Sequence, residues 1–92
     1  MDLLPLARKY IWWHPPEYAV KDRRRLIAQI MNIGTYADVE ALRAELGDDA
    51  FKHALQTARA GEFSERSWHY WYLILGLAAP HKVPTLPERK LA

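Results

Sequence analysis

Apolar positions along this chain recur at helical spacing, and no stretch alternates in the way a half-buried strand would. The densest run is Ser64 to Leu77. There Trp68, Trp71, Tyr72 and Leu75 fall at intervals of three, four and seven, which is one face of an α-helix. Tyr70, Leu73, Ile74 and Leu77 make a second apolar row on the other side. A helix that is apolar all round is normally buried all round, and a short chain can hardly cover both faces. The pattern therefore predicts an inner face of Trp68, Trp71, Tyr72 and Leu75. The outer row is expected to meet the N-terminal Trp12-Trp13 knot in part and another protein for the rest.

Five further helical segments precede this one. Leu3 to Tyr10 forms a short turn that runs into the knot Tyr10-Ile11-Trp12-Trp13. His14-Pro15-Pro16-Glu17 interrupts it, since each proline pushes its predecessor out of the α region; Pro16 and Glu17 then suit the first turn of a brief helix to Lys21. Asp22 caps the next helix, whose stripe is Leu26, Ile27, Ile30 and Met31, up to Ile33. Gly34-Thr35 ends that helix and caps another, with Val39, Leu42 and Leu46 facing inward. After Gly47-Asp48 a helix from Asp49 to Ala60 carries Phe51, Ala54, Leu55 and Ala58 on one side. Gly61 closes it, Phe63 is placed as a hydrophobic staple, and Ser64 caps the aromatic helix.

The fold expected is all-α: a compact bundle of four to six short helices in a single domain, residues 1–79, followed by an extended tail, residues 80–92. Pro80, Pro84 and Pro87 exclude a helix from that tail and favour an extended arm. There Val83, Leu86 and Leu91 alternate with His81, Lys82, Arg89 and Lys90, so the arm is either a frayed terminus or a docking segment.

Composition bounds the chemistry. Among 92 residues, 50% are hydrophobic and 26% charged, an ordinary globular balance. Four Trp, five Tyr and two Phe are more large rings than so small a core readily absorbs. Core packing is expected for at least two of the four tryptophans, and an interface for the rest. There is no cysteine, which excludes disulfides and thiolate metal sites. The start of the chain lacks the order of a signal peptide, and the apolar run from Trp68 to Ala79 is too short to span a bilayer; a cytoplasmic protein with no membrane contact is expected.

Catalytic chemistry finds no support in the spacing. Ser67 and His69 stand two apart, on different helix faces. His14, His53, His69 and His81 lack the intervals of a zinc site, and the glycines stand at helix ends rather than in a phosphate loop. No catalytic, metal or cofactor residues are assigned, and an enzyme is not expected. Asp48-Asp49 and Asp38-x-Glu40 fit the first turns of helices.

Two binding readings remain. A nucleic-acid surface would use Lys21, Arg23, Arg24, Arg25 and Lys52, the last from the second helix of a rough helix-turn-helix around Gly47. Against it, Asp38, Glu40, Glu45, Asp48 and Asp49 would repel the phosphate backbone, consecutive arginines fan out by about 100° each, and the net charge is only +2. A protein-binding surface fits better, because Arg and large aromatics are enriched in interface cores; the candidates are Trp12, Trp13, Arg66, Trp68, Tyr70, Ile74 and Leu86. Self-association through the Trp68 helix is a third reading.

The motifs Tyr10-Ile11-Trp12-Trp13, Met31-Asn32-Ile33-Gly34-Thr35 and Phe63-Ser64-Glu65-Arg66-Ser67-Trp68-His69-Tyr70-Trp71, taken in order, resemble a family of short bacterial proteins encoded beside abortive-infection toxins of the nucleotidyltransferase type. The resemblance covers about Tyr10 to Leu77. It implies an antitoxin-like or accessory protein that acts by binding that toxin, with no catalytic residues to carry over. Such relatives commonly have Pro where Glu65 stands, and both residues suit a first helical position.

Overall fold

The computed structural model describes residues 2–88. Among them the architecture is all-helical: α1 (Leu4–Tyr10), α2 (Pro16–Ala19), α3 (Arg23–Ile33), α4 (Tyr36–Leu46), α5 (Asp48–Gln56) and α6 (Glu65–Ile74), with no strand. Arg89, Lys90 and Leu91 of the tail lie outside the described residues.

Helix α3 is the axis of the packing. It buries Leu26, Ile27, Ala28, Ile30 and Met31 and meets every other helix. Helix α5 lies against it and contributes Phe51, Ala54 and Leu55. Helix α6 adds Trp68, Trp71 and Tyr72, and the N-terminal arm adds Ala7, Tyr10 and Ile11. The molecule measures 37 × 36 × 19 Å. A thickness of 19 Å admits two helix layers at the usual spacing of roughly 8–10 Å, so no helix is covered on both sides throughout.

Local chemistry sets the helix boundaries. Asp22 accepts from the Arg25 N–H, Thr35 from the Asp38 N–H and Ser64 from the Ser67 N–H, each satisfying a donor with no intrahelical partner. Gly47 adopts φ +83°, a left-handed conformation that closes α4 and starts α5. Gly34 serves differently: its backbone is extended, and a side chain there would overlap the Ile30 carbonyl oxygen.

Three helices end before the pattern predicts, the first being α2, at Ala19 rather than Lys21. Helix α5 stops at Gln56 rather than Ala60: the Thr57 hydroxyl joins its own N–H on the His53 carbonyl, at 2.7 and 3.0 Å, and the next N–H, of Ala58, turns to the Leu55 carbonyl. Helix α6 stops at Ile74 rather than Leu77. Gly76 at φ +69° places its N–H on the Leu73 carbonyl and the Leu77 N–H on that of Tyr72, the two bonds of a Schellman end.

Beyond α6, residues 82–88 form neither helix nor strand. Val83 and Leu86 pack back on the core, and the indole Nε1–H of Trp68 donates to the Pro84 carbonyl at 2.8 Å.

Candidate partner-binding surface

The orientation of α6 is fixed by its own N-terminal staple and by the C-terminal end of α3. Phe63, just ahead of the cap, packs on Trp68 four positions past it, ring centroids 5.8 Å apart; this is a hydrophobic staple. The last turn of α3 leaves carbonyls without helical partners, and α6 supplies donors: Ser67 Oγ to Asn32 O at 3.1 Å and Trp71 Nε1 to Met31 O at 2.8 Å. In return, the Asn32 side-chain oxygen accepts from the Ser64 N–H at 2.9 Å. These bonds leave α6 little freedom to rotate about its axis.

The consequence is a clean division of its two faces. Trp68, Trp71, Tyr72 and Leu75 are buried, as the spacing predicts. Burial also raises the Tyr72 phenol above its ordinary pKa. On the outer face Tyr70, Leu73 and Ile74 are 51%, 42% and 46% exposed, while Leu77 turns back to pack on the core.

The outer row borders a groove of about 490 Å3 between α3, α4 and the start of α6. Its floor includes Met31, Val39 and Trp71, and Tyr36, Glu40, Arg66 and Tyr70 contribute to its walls. Tyr36 is 79% exposed, and Ile33 at the end of α3 is also exposed. Sequence reasoning omitted Tyr36. It follows the Thr35 cap directly, and a large ring at an outward first-turn position was the available signal. Ile33 ends the helix that carries the Leu26, Ile27, Ile30 and Met31 stripe; in that last position it is 58% exposed.

Several predicted positions lie elsewhere. Trp12 and Trp13 sit in the turn between α1 and α2, edge-to-face at 5.7 Å, with Trp12 76% exposed. They do not bury the outer row of α6, because Tyr10 and Ile11 take the inward positions and leave both indoles at the rim. Trp68 is only 4% exposed, its ring packed between Phe63 and Tyr72 and its N–H spent on Pro84, so it is not a free surface residue. Leu86 is half-buried against the same core. Arg66 and Ile74 are exposed, as a binding role requires.

The basic cluster is divided. Both Arg24 guanidinium nitrogens donate to Glu62, at 2.9 and 2.7 Å, and the Glu62 side chain is 8% exposed. Arg25 approaches the same carboxylate at 4.0 Å. Arg23 and Lys21 are exposed, with the Lys21 ammonium 5.6 Å from the Tyr18 ring centre, and Lys52 is half-buried on α5. Burial pushes the Glu62 carboxyl up, but the Arg24 hydrogen bond, the Arg59 N–H and the two guanidinium charges outweigh it and hold the group below its ordinary value. Two of the acids that weigh against nucleic acid are paired as well. Asp48 binds Arg43, and Asp38 binds Lys9 and Tyr10, which lower its pKa in that order.

No group of three or more His, Cys, Asp or Glu among the described residues could hold a metal ion, and no helix there is long and apolar enough to cross a membrane. No family model, curated protein or solved structure matches this chain.

Proposed function

We propose that this protein acts by binding another protein across the outer face of α6 and the adjoining groove, as the antitoxin-like or accessory partner of a nucleotidyltransferase-type toxin. The observation that supports this most is the uncovered row Tyr70, Leu73 and Ile74, whose Tyr70 shares the groove with the exposed Tyr36. Scattered surface hydrophobes need no explanation, whereas neighbouring large ones rimmed by charge suit an interface. Arg66 and Glu40, of opposite sign, supply that rim. Aromatic rings and an arginine are the residues that most often anchor a buried interface. The identity of the partner comes from the resemblance carried by the Tyr10, Met31 and Phe63 motifs.

The mode of action is occlusion or allosteric restraint of the partner, with no chemistry performed by this chain. Co-expression with the adjacent nucleotidyltransferase-type protein is the test. A stable complex that Tyr70→Glu with Ile74→Glu abolishes, while the helical content stays intact, is the expected result. A monomer indifferent to that protein contradicts it.

The nucleic-acid alternative uses what is left of the basic cluster. With Arg24 committed to Glu62, Lys21 and Arg23 on the α2–α3 corner carry it, so it is the weaker reading.

A further inference from the structure

The segment that covers Trp68 has a chemistry of its own. It reads Val83-Pro84-Thr85-Leu86-Pro87, two prolines three positions apart. Proline fixes its own φ and steers its predecessor toward extended backbone, so four of the five residues lose little freedom on docking. In an extended chain with about three residues per turn, Val83 and Leu86 share one face. Both pack on the core. The polar anchor is the Trp68 indole N–H on the Pro84 carbonyl, 2.8 Å away. Phe63 and Tyr72 brace the indole at 5.8 and 4.8 Å.

Aromatic surfaces that recognise Pro-x-x-Pro segments work in this way, by docking a chain whose extended form is already set. We propose that the Phe63–Trp68–Tyr72 side of α6 is a recognition groove for such segments. Residues 83–87 fill it in cis as an internal ligand, and a partner protein presenting an extended Pro-x-x-Pro stretch binds by displacing them. The seated segment defines the ligand: an apolar residue before each proline and a carbonyl at the first proline facing the indole. Residues 75–82 connect it to α6 through turns at Gly76 and Ala79–Lys82, so its release unwinds no helix. The groove lies on the far side of α6 from Tyr70 and Ile74, and the inference does not depend on that outer surface.

The test uses the 15N-labelled full-length chain carrying Val83→Asp and Leu86→Asp, which releases the internal segment, and a synthetic peptide of residues 80–88. The probe is the Trp68 indole N–H resonance, assigned by its loss in Trp68→Phe. The peptide is expected to return that resonance saturably to its wild-type position. A peptide with Leu86 and both prolines replaced by serine should bind at least ten-fold more weakly. The unaltered chain should need on the order of ten-fold more peptide, because its own segment competes at roughly millimolar effective concentration. Should the double variant lose helicity, the unaltered chain decides alone: excess peptide must shift the Thr85 amide to its free position. A folded variant that ignores the peptide, equal binding of the serine peptide, or an unmoved Thr85 amide in the unaltered chain each overturns the proposal.

Discussion

The indole N–H of Trp71 donates to the Met31 carbonyl at 2.8 Å, joining residues 40 positions apart inside the core. The ring also meets Phe51 edge-to-face at 5.4 Å, so one side chain ties α6 to both α3 and α5. Because this bond caps the end of α3 and sets the rotation of α6, it decides which face of α6 remains outside.

Trp71→Phe should keep most of the ring contact but leave the Met31 carbonyl without its donor. An unsatisfied buried acceptor costs about 1–3 kcal/mol. In a domain of this size each kcal/mol lowers Tm by roughly 4–8 °C. Trp68→Phe should cost less through its hydrogen bond, since Pro84 is exposed and water can replace the indole there. Thermal unfolding by circular dichroism of both variants checks the order; equal losses would mean the buried bond carries no special weight.

Arg24 and Glu62 form the other long-range clasp, holding the loop after α5 to the start of α3. Removing the guanidinium strands a largely buried carboxylate. Arg24→Ala is expected to lose about 1.5–3 kcal/mol, the range for hydrogen bonds to charged groups. Arg23→Ala, one position away and exposed, should stay within about 0.5 kcal/mol of the parent. Urea titration of the two variants reads the difference.

The carboxylates predict the acid limit of stability. Glu62, Asp38 and Asp48 all lie below their ordinary pKa values in the folded chain. A folded value below the unfolded one means the unfolded chain binds protons first as pH falls. Stability from these groups is therefore complete at neutral pH and is lost as pH drops from about 4 through the folded values. The urea midpoint should hold level between pH 7 and 5 and then decline. Glu62→Gln should show a shallower decline; an unchanged slope would remove Glu62 from the account.

Gly34→Ala tests a steric requirement rather than a conformational one. The added methyl would overlap the Ile30 carbonyl oxygen and approach its Cγ2 to 2.9 Å. Overpacking of this kind costs typically about 1–3 kcal/mol. Gly61→Ala meets open space and suffers only from its φ of +86°. Both should destabilise, and Gly34→Ala more; the reverse order in thermal unfolding would show that the last turn of α3 around Ile30 yields to make room.

Much of the scaffold was legible in the sequence because local signals agreed. Asp22, Thr35 and Ser64 cap as their positions predict, Phe63 staples Trp68, and the inner face of α6 follows from spacing alone. What periodicity does not encode is tertiary partnership. It shows that Trp68 faces inward but not that Pro84 lies over it, and it presents three adjacent arginines without revealing that Glu62, 38 positions from Arg24, claims one of them. The fate of the Trp12-Trp13 knot was hidden for the same reason. Four apolar residues in a row leave open which two turn inward, and the turn before Pro15 resolves it in favour of Tyr10 and Ile11. Tyr36 had a local signal, its place directly after the Thr35 cap, but its share in the groove depends on how α4 sits against α3.

The outer face of α6 is the proposed protein-binding surface. Tyr70 and Ile74 are half-exposed, and the Tyr70 ring meets the buried Trp71 edge-to-face at 5.2 Å, so replacing both with glutamate should cost some stability but leave the chain folded. Interface anchors of this kind typically contribute about 2 kcal/mol or more each, enough together to weaken binding several hundred-fold. That surface is tested by calorimetric titration of the proposed nucleotidyltransferase-type partner with the parent chain and with the Tyr70→Glu, Ile74→Glu variant. A saturable complex with the parent and a loss of affinity of at least a hundred-fold in the folded variant are expected. Equal affinity for the two chains, or no complex with either, would contradict the proposal.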